Sequence, residues 1–142
     1  MRPLRIGLAM LLLALPLSIV ACAQAAGDDD GSAAEPSLRT ISEGDAVAEL
    51  AERNGAVEVI DVRTPAEHAR GALDGATLID IQSPDFRERV DELDRDGSYF
   101  LYCRSGNRSG QAAQIMADMG FTDLTNIGGY EALAASGAAT DR

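Results

Sequence analysis

The stretch YFLYCRSGNRSGQAAQIMADMG, residues 99–120, is the most informative part of this 142-residue chain about its fold. Residues suited to a buried strand run up to Cys103, and a polar turn of small and basic residues follows. Apolar residues then recur at helical spacing, which predicts a helix from about residue 109 to 119 that ends at Gly120. Its inward-facing positions are Ala112, Ile115, Met116 and Met119. A buried strand joined by a tight turn to an amphipathic helix is the repeating unit of α/β proteins.

Strand and helix patterns continue to alternate on both sides of this stretch. Further strands are expected at LRTI (38–41), VEVIDVR (57–63), ATLIDI (76–81) and LTNI (124–127). Helices are expected after the N-cap Ser42, after a capping box formed by Thr64, Pro65 and Glu67, after Ser83 and Pro84, and within GGYEALAA (128–135). Strands that alternate with helices predict a parallel sheet covered on both faces, and therefore an α/β domain.

The start of the chain has the layout of an export signal rather than of a folded segment. Two arginines precede an apolar run (6–21) that ends in IVAC (19–22), a motif that resembles the bacterial lipobox. We therefore expect a lipoprotein signal peptide over residues 1–21. The protein would be exported and anchored to the bacterial cell membrane through lipid on Cys22, in an extracytoplasmic or periplasmic location. An ordinary cleaved signal and an uncleaved membrane anchor are the alternatives.

The residues after the signal predict a tether and then one domain. Residues 22–37 begin with the cysteine to be lipidated and are otherwise small and acidic, so we expect a flexible linker there. A folded domain follows over residues 38–142. The chain has two cysteines. If Cys22 carries lipid, Cys103 is the remaining thiol, whereas a disulfide between the two is the alternative.

The charge of the chain limits its partners. It has 23 acidic and 12 basic residues, which give a formal net charge of −11. Nucleic acids and anionic lipid surfaces attract basic proteins, so this composition argues against both as partners of the folded domain.

The position of Cys103 favours a reactive thiolate. It lies at the carboxyl end of a predicted central strand, where open α/β sheets place their ligand crevices. Gly106 permits a tight turn, so successive N–H groups can point inward, and the helix N-terminus with Arg104 and Arg108 adds positive charge. Reactive thiols sit in such electropositive, accessible surroundings. The alternative is a buried structural cysteine at the end of a strand.

Three segments carry a family resemblance: IDVRTPAE (60–67), CRSGNRS (103–109) and NIGGYEAL (126–133). In this order they resemble a single-domain rhodanese, or sulfurtransferase, over about residues 37–135. The resemblance implies a five-stranded parallel sheet with helices on both faces, and a catalytic Cys103 that accepts a sulfane sulfur as a persulfide. It implies a loop whose main-chain amides bind that sulfur, formed by Arg104, Ser105, Gly106, Asn107, Arg108 and Ser109. No metal or organic cofactor is implied.

The resemblance also assigns supporting roles. Asp61 and Arg63 match the family's Asp-x-Arg and are expected to brace the loop and the helix after it. Arg63 and Glu67 are expected to form an ion pair across the first turn of that helix. His68 occupies a position where the family usually has an aromatic residue, and we expect it to be a surface helix residue rather than a base.

The expected reaction moves a sulfane sulfur from thiosulfate or a persulfide donor to a thiol or to cyanide. The thiol acceptor could be an envelope protein. One alternative is a rhodanese-like module that carries persulfide or binds a partner with little turnover. A phosphatase or arsenate reductase is the other, but the spacing here is C-x4-R (103–108), whereas those related enzymes use C-x5-R to hold a larger tetrahedral anion. Metal is not expected at the site.

Overall fold

The computed structural model describes residues 36–53 and 55–141. The predicted signal peptide, the lipidation site at Cys22 and nearly all of the predicted linker lie outside the described residues. Within those residues, no helix combines the length and the apolar character needed to cross a membrane.

Seven strands and five helices lie along the described chain, and strands alternate with helices except where β4 directly follows β3. The strands are β1 (Ser37–Thr40), β2 (Glu58–Asp61), β3 (Ala72–Leu73), β4 (Thr77–Leu78), β5 (Ser98–Cys103), β6 (Asp123–Gly129) and β7 (Thr140–Asp141). The helices are α1 (Glu43–Glu52), α2 (Pro65–His68), α3 (Phe86–Asp91), α4 (Asn107–Asp118) and α5 (Tyr130–Ala135).

Five of these strands form one parallel sheet in the order β1-β6-β5-β2-β4. Helices α3 and α4 pack on one face and α1 and α5 on the other, so the predicted five-stranded α/β fold is confirmed. The carboxyl ends of β2 and β5 are neighbours because Asp61 pairs with Tyr102 in the sheet register. The segment after each of these strands therefore meets the other at one edge of the sheet.

Strand β5 lies in the middle of the sheet and is buried on both faces. Tyr99, Leu101 and Cys103 belong to the core shared with α3 and α4, whereas Phe100 and Tyr102 belong to the core shared with α1 and α5. Side chains alternate between the two faces of a strand, so an uninterrupted apolar run is what a two-sided core requires. Each side chain of this run is at most 3% exposed.

The structure differs from the expected elements mainly at their ends. Helix α4 begins at Asn107 rather than near residue 109, because its first turn is polar and carries no apolar periodicity. Strand β4 has only two residues of the expected six-residue strand. A small antiparallel ribbon of β3 and β7 was not predicted. Each of its strands has two residues, too few to produce a recognisable alternation.

Candidate active site

The turn between β5 and α4 closes over the side chain of Cys103. Gly106 ends this turn with φ 86°, the left-handed conformation that its lack of a side chain allows. The opposite wall is the end of β6, where a Cβ atom on Gly129 would lie only 2.6 Å from the main-chain oxygen of Arg104. The main chain of β6 and the turn are therefore in direct contact, and this contact fixes the shape of the turn.

Three donors surround the sulfur of Cys103. The N–H of Gly106 is 3.1 Å from Sγ, the N–H of Ser105 is 3.4 Å away, and the hydroxyl of Ser109 is 3.5 Å away. Burial raises the pKa of the thiol, but the hydroxyl of Ser109 and the main-chain N–H groups of Ser109, Ser105 and Arg108 outweigh that effect. The pKa of Cys103 is consequently lowered, which favours a thiolate.

The sequence-based expectation of an accessible thiol differs from what the structure shows. Cys103 is 0% exposed, because the turn that supplies the N–H donors also covers the sulfur. The N–H groups nevertheless point inward to the sulfur, as an anion-binding turn requires. Burial in this protein is thus combined with hydrogen bonding to the sulfur, unlike a structural cysteine in a purely apolar core.

An asparagine that the sequence analysis missed ties the turn to β6. The hydroxyl of Ser109 lies 2.8 Å from Oδ1 of Asn126, and Nδ2 of Asn126 donates to the main-chain oxygen of Gly106 at 3.0 Å. The N–H of Gly128 also donates to Oδ1 at 3.2 Å. The signal in the sequence was an amide side chain near the carboxyl end of the buried LTNI strand. Asn126 is 7% exposed, and both ends of its amide group take part in holding the turn.

Arg108 faces a carboxylate rather than the open mouth of the turn. Its two terminal nitrogens donate to Glu67, with Nη1 to Oε2 at 2.9 Å and Nη2 to Oε1 at 2.7 Å. These bonds from Arg108, together with those from Thr64, lower the pKa of Glu67 to about 2 despite the opposing effect of burial. Such a two-pronged pair holds the first turn of α4 against the start of α2.

The expected ion pair between Arg63 and Glu67 is not formed. Arg63 is 4% exposed and turns inward, where Nη2 donates to Oδ2 of Asp61 at 2.6 Å and to the main-chain oxygen of Gly71 at 2.8 Å. Glu67 instead pairs with Arg108, which lies 41 residues further along the chain. Local spacing alone suggested the wrong partner, because the sheet brings a second arginine to the same carboxylate.

Asp61 is the centre of a buried polar cluster at the carboxyl end of β2. In addition to Arg63, it accepts hydrogen bonds from the hydroxyl of Tyr102 at 2.8 Å and from Nδ1 of His68 at 2.9 Å. Burial raises the pKa of Asp61, but the bonds from Arg63, His68 and Tyr102 outweigh it and keep the pKa below its ordinary value. His68, expected at the surface, is therefore half-buried and bound to this carboxylate.

The outer side of the turn consists of the exposed residues Arg104, Ser105 and Asn107. Arg104 takes part in none of the ion pairs found among residues 36–53 and 55–141. Its charge is thus available to an anion that approaches the mouth of the turn. In the same described ranges, no three His, Cys, Asp or Glu side chains are grouped closely enough to hold a metal ion.

Comparisons with known proteins agree with this geometry. A family model described as a rhodanese-like domain matches residues 44–136. The thiosulfate sulfurtransferase PspE of Escherichia coli is 35% identical over 77 residues, which cover 53% of this chain and 72% of that protein. The thiosulfate sulfurtransferase GlpE of Pseudomonas entomophila is 38% identical over 96 residues, which cover 66% of this chain and 83% of that protein.

Solved structures show the same architecture. A rhodanese-related protein from Thermoplasma volcanium matches with a TM-score of 0.62 and 30% identity, covering 72% of this chain and 97% of that one. A rhodanese with anions from Escherichia coli matches with a TM-score of 0.53 and 29% identity, covering 61% of this chain and 99% of that one. With the family model spanning more than half of the sequence and the cysteine turn built as described, the chain belongs to the family of rhodanese-like domains.

Proposed function

We propose that this protein is a rhodanese-type sulfurtransferase that moves a sulfane sulfur through a persulfide on Cys103. The observation that carries the proposal is the set of three donors within 3.5 Å of Sγ at the carboxyl end of the central strand. They favour the thiolate, which is the nucleophilic form of cysteine. The names of the relatives PspE and GlpE support thiosulfate as the donor.

The loading step requires only the thiolate and an anionic sulfur donor. The Cys103 thiolate attacks the outer sulfur of thiosulfate, a new S–S bond forms, and the S–S bond of thiosulfate breaks. The bonding electrons leave with sulfite, and the outer sulfur keeps its negative charge as the terminal sulfur of the Cys103 persulfide. No proton is transferred, so the step needs no general acid.

The unloading step returns the enzyme to its starting state. The terminal persulfide sulfur is attacked by cyanide or by the thiolate of an acceptor. Thiocyanate or a new persulfide forms, and the electrons of the broken S–S bond restore the Cys103 thiolate. The amide donors of the turn stabilise an anion throughout this cycle, first on Sγ and then on the persulfide, which accounts for a turn built from main-chain N–H groups.

The charges at the turn determine how an anionic donor is attracted. Glu67 and, with a smaller contribution, the neighbouring Cys103 raise the pKa of Arg108, so Arg108 supports the thiolate inside the turn. Arg104, which lies outside the ion pairs of the described residues, and the N-terminus of α4 attract an approaching anion. This local field works against a chain whose net charge is −11. Arg104 is therefore the side chain that we assign to binding the sulfonate group of thiosulfate.

The burial of Cys103 limits which donors can react. A terminal sulfane sulfur can enter the turn while the rest of the donor remains outside, whereas a bulky group attached on both sides of the sulfur cannot. Thiosulfate and small persulfides meet this requirement. A tetrahedral phosphate needs a wider ring than the four residues that separate Cys103 from Arg108, so phosphatase activity is not supported.

Mass spectrometry of the intact protein after thiosulfate treatment tests the loading step. We expect a gain of the mass of one sulfur atom, removable by cyanide and absent in Cys103→Ser. Thiocyanate formation in the steady state should be lost in the same variant. Turnover by Cys103→Ser, or a wild-type protein that never gains sulfur, would refute the sulfurtransferase assignment.

A second candidate, a persulfide carrier with little turnover, is favoured by the complete burial of Cys103. A covered persulfide would be protected from small thiols and released only when a partner opens the turn. This candidate predicts stoichiometric loading by thiosulfate together with slow discharge to cyanide and to dithiothreitol. Rapid discharge to both small acceptors supports the enzyme instead.

We also propose that the protein is a lipoprotein that acts on thiol acceptors in the cell envelope. The support is the lipobox-like IVAC (19–22) behind a basic and apolar leader. Incorporation of labelled palmitate and recovery in the membrane fraction should both be lost in Cys22→Ala. Unchanged membrane recovery of that variant would indicate an uncleaved anchor.

A further inference from the structure

The one-turn helix α2 connects two parts of the site through adjacent residues. Glu67 binds Arg108 in the first turn of α4, and Nδ1 of His68 lies 2.9 Å from Oδ2 of Asp61 at the end of β2. A helix of four residues has too few internal hydrogen bonds to maintain itself in isolation. The position of α2, and hence of the Glu67 carboxylate, therefore depends on such tertiary contacts.

The hydrogen bond between His68 and Asp61 has a defined direction. An ionised carboxylate can only accept, so the hydrogen must reside on Nδ1 of His68. Asp61 is 0% exposed and also accepts from Arg63 and Tyr102. A group so firmly held is a rigid anchor for a neighbouring helix.

His68 does not contact the reacting sulfur. Within the described parts of the chain, no hydrogen bond joins its ring to Cys103, and its bond runs to Asp61. Asp61 is bonded to Tyr102, whose side chain lies in the core opposite to that of Cys103. Any effect of His68 on sulfur transfer is therefore indirect, and the adjacent Glu67 offers a route to the turn through Arg108.

We propose that His68 is a positioning residue for sulfur transfer, which anchors α2 on Asp61 so that Glu67 can hold Arg108 and the first turn of α4 around Cys103. This inference rests on the proposed sulfurtransferase activity. It gives His68 a task distinct from that of a general base and explains why a titratable side chain is half-buried against a carboxylate.

Three substitutions of His68 separate the hydrogen bond from the bulk of the ring. His68→Asn retains a donor near the position of Nδ1, His68→Gln moves the donor to the position of Nε2, and His68→Leu removes it. A hydrogen bond to a charged group is strong enough for its loss to lower kcat/KM for thiosulfate about tenfold. We expect that loss in His68→Leu and His68→Gln, and values within about threefold of wild type in His68→Asn.

Ala66→Gln is the matched control, because it places the same new residue at an exposed position of the same helix. The methyl group of Ala66 forms no hydrogen bond in the wild-type protein, so none is lost. This variant should retain the wild-type kcat/KM. Circular dichroism and urea unfolding verify that each variant is folded. If His68→Leu does not fold, the comparison of His68→Asn with His68→Gln carries the test.

A double-mutant cycle tests the route through Glu67. If His68 acts by positioning Glu67, the variant that combines Glu67→Gln with His68→Gln should be no slower than the slower of the two single variants, so the two losses will not add. Additive losses, or a His68→Asn variant as impaired as His68→Gln, would overturn the proposal. A wild-type protein that transfers no sulfur would refute the proposed function itself, whereas active wild type with fully active His68→Gln refutes only the role of His68.

Discussion

Removal of the Ser109 hydroxyl offers the most direct test of how the turn activates Cys103. The hydroxyl lies 3.5 Å from Sγ and 2.8 Å from Oδ1 of Asn126. A hydrogen bond to a charged group stabilises it by about 1.5–3 kcal/mol, and about 1.36 kcal/mol corresponds to one pKa unit. Because this contact is long and shared, the lower end applies. We expect Ser109→Ala to raise the pKa of Cys103, because the thiolate loses about 1.5 kcal/mol of stabilisation, which corresponds to an about tenfold change in its ionisation.

The pH dependence of kcat/KM for thiosulfate measures this shift. Below the pKa of the wild-type thiol, the thiolate fraction changes tenfold per unit, so Ser109→Ala should be about tenfold slower there. At pH values above the pKa of Cys103 in both proteins, the two rates should converge, or the variant should be slightly faster, because a more basic thiolate is the stronger nucleophile. The exposed Ser136 provides the matched control, since Ser136→Ala removes a hydroxyl that lies after α5 and outside the turn.

One pattern of rates would contradict this account of the hydroxyl. If the pH profile of kcat/KM in Ser109→Ala keeps the wild-type midpoint and the rate falls equally at every pH, the hydroxyl positions the turn but does not stabilise the thiolate. Titration of the thiolate by its ultraviolet absorbance provides an independent measure of the same pKa. Agreement of the two midpoints would assign the kinetic pKa to Cys103.

Three further predictions concern the walls of the turn. Because the pKa of Glu67 is lowered from 4.5 to about 2, its ionised carboxylate stabilises the folded state fully above pH 4.5, and this stabilisation is lost as the pH falls toward about 2. In Glu67→Gln, the free energy of urea unfolding should no longer fall with pH over this range. Gly129→Ala places Cβ 2.6 Å from the oxygen of Arg104 and should reduce thiocyanate formation at least about tenfold, with the fold retained in circular dichroism. Arg104→Gln should raise KM for thiosulfate about threefold and weaken its dependence on salt, with little change in kcat.

Features of the site that depend on interactions between residues close in the sequence were predicted. The capping box of Thr64 and Glu67 forms as expected, because its hydrogen bonds span three residues. The positive φ of Gly106 follows from the need to turn directly from a strand into a helix. The all-apolar run of β5 is explained by burial on both faces, which any central parallel strand requires.

Features that depend on distant segments were not predicted. Asn126 looked like one polar residue in a strand pattern, and only the pairing of β6 with β5 places its amide against the turn. Likewise, the hydroxyl of Tyr102 gave no signal, although it donates to Asp61 and accepts from the N–H of Leu73. A hydrogen bond between residues far apart leaves no periodic trace in the sequence.

Local patterns in the amino-acid sequence were sufficient for the order of strands and helices and for the placement of Cys103 before a polar turn and a helix, whereas the family was indicated by the resemblance of three motifs. These features depend on apolar periodicity and on turn chemistry, which act over a few residues. The pairing of Glu67 with Arg108 emerged only from the folded chain, because the sheet register sets which distant charges come within hydrogen-bonding distance. The covering of the thiol has the same origin, since it depends on how closely the end of β6 packs against the turn.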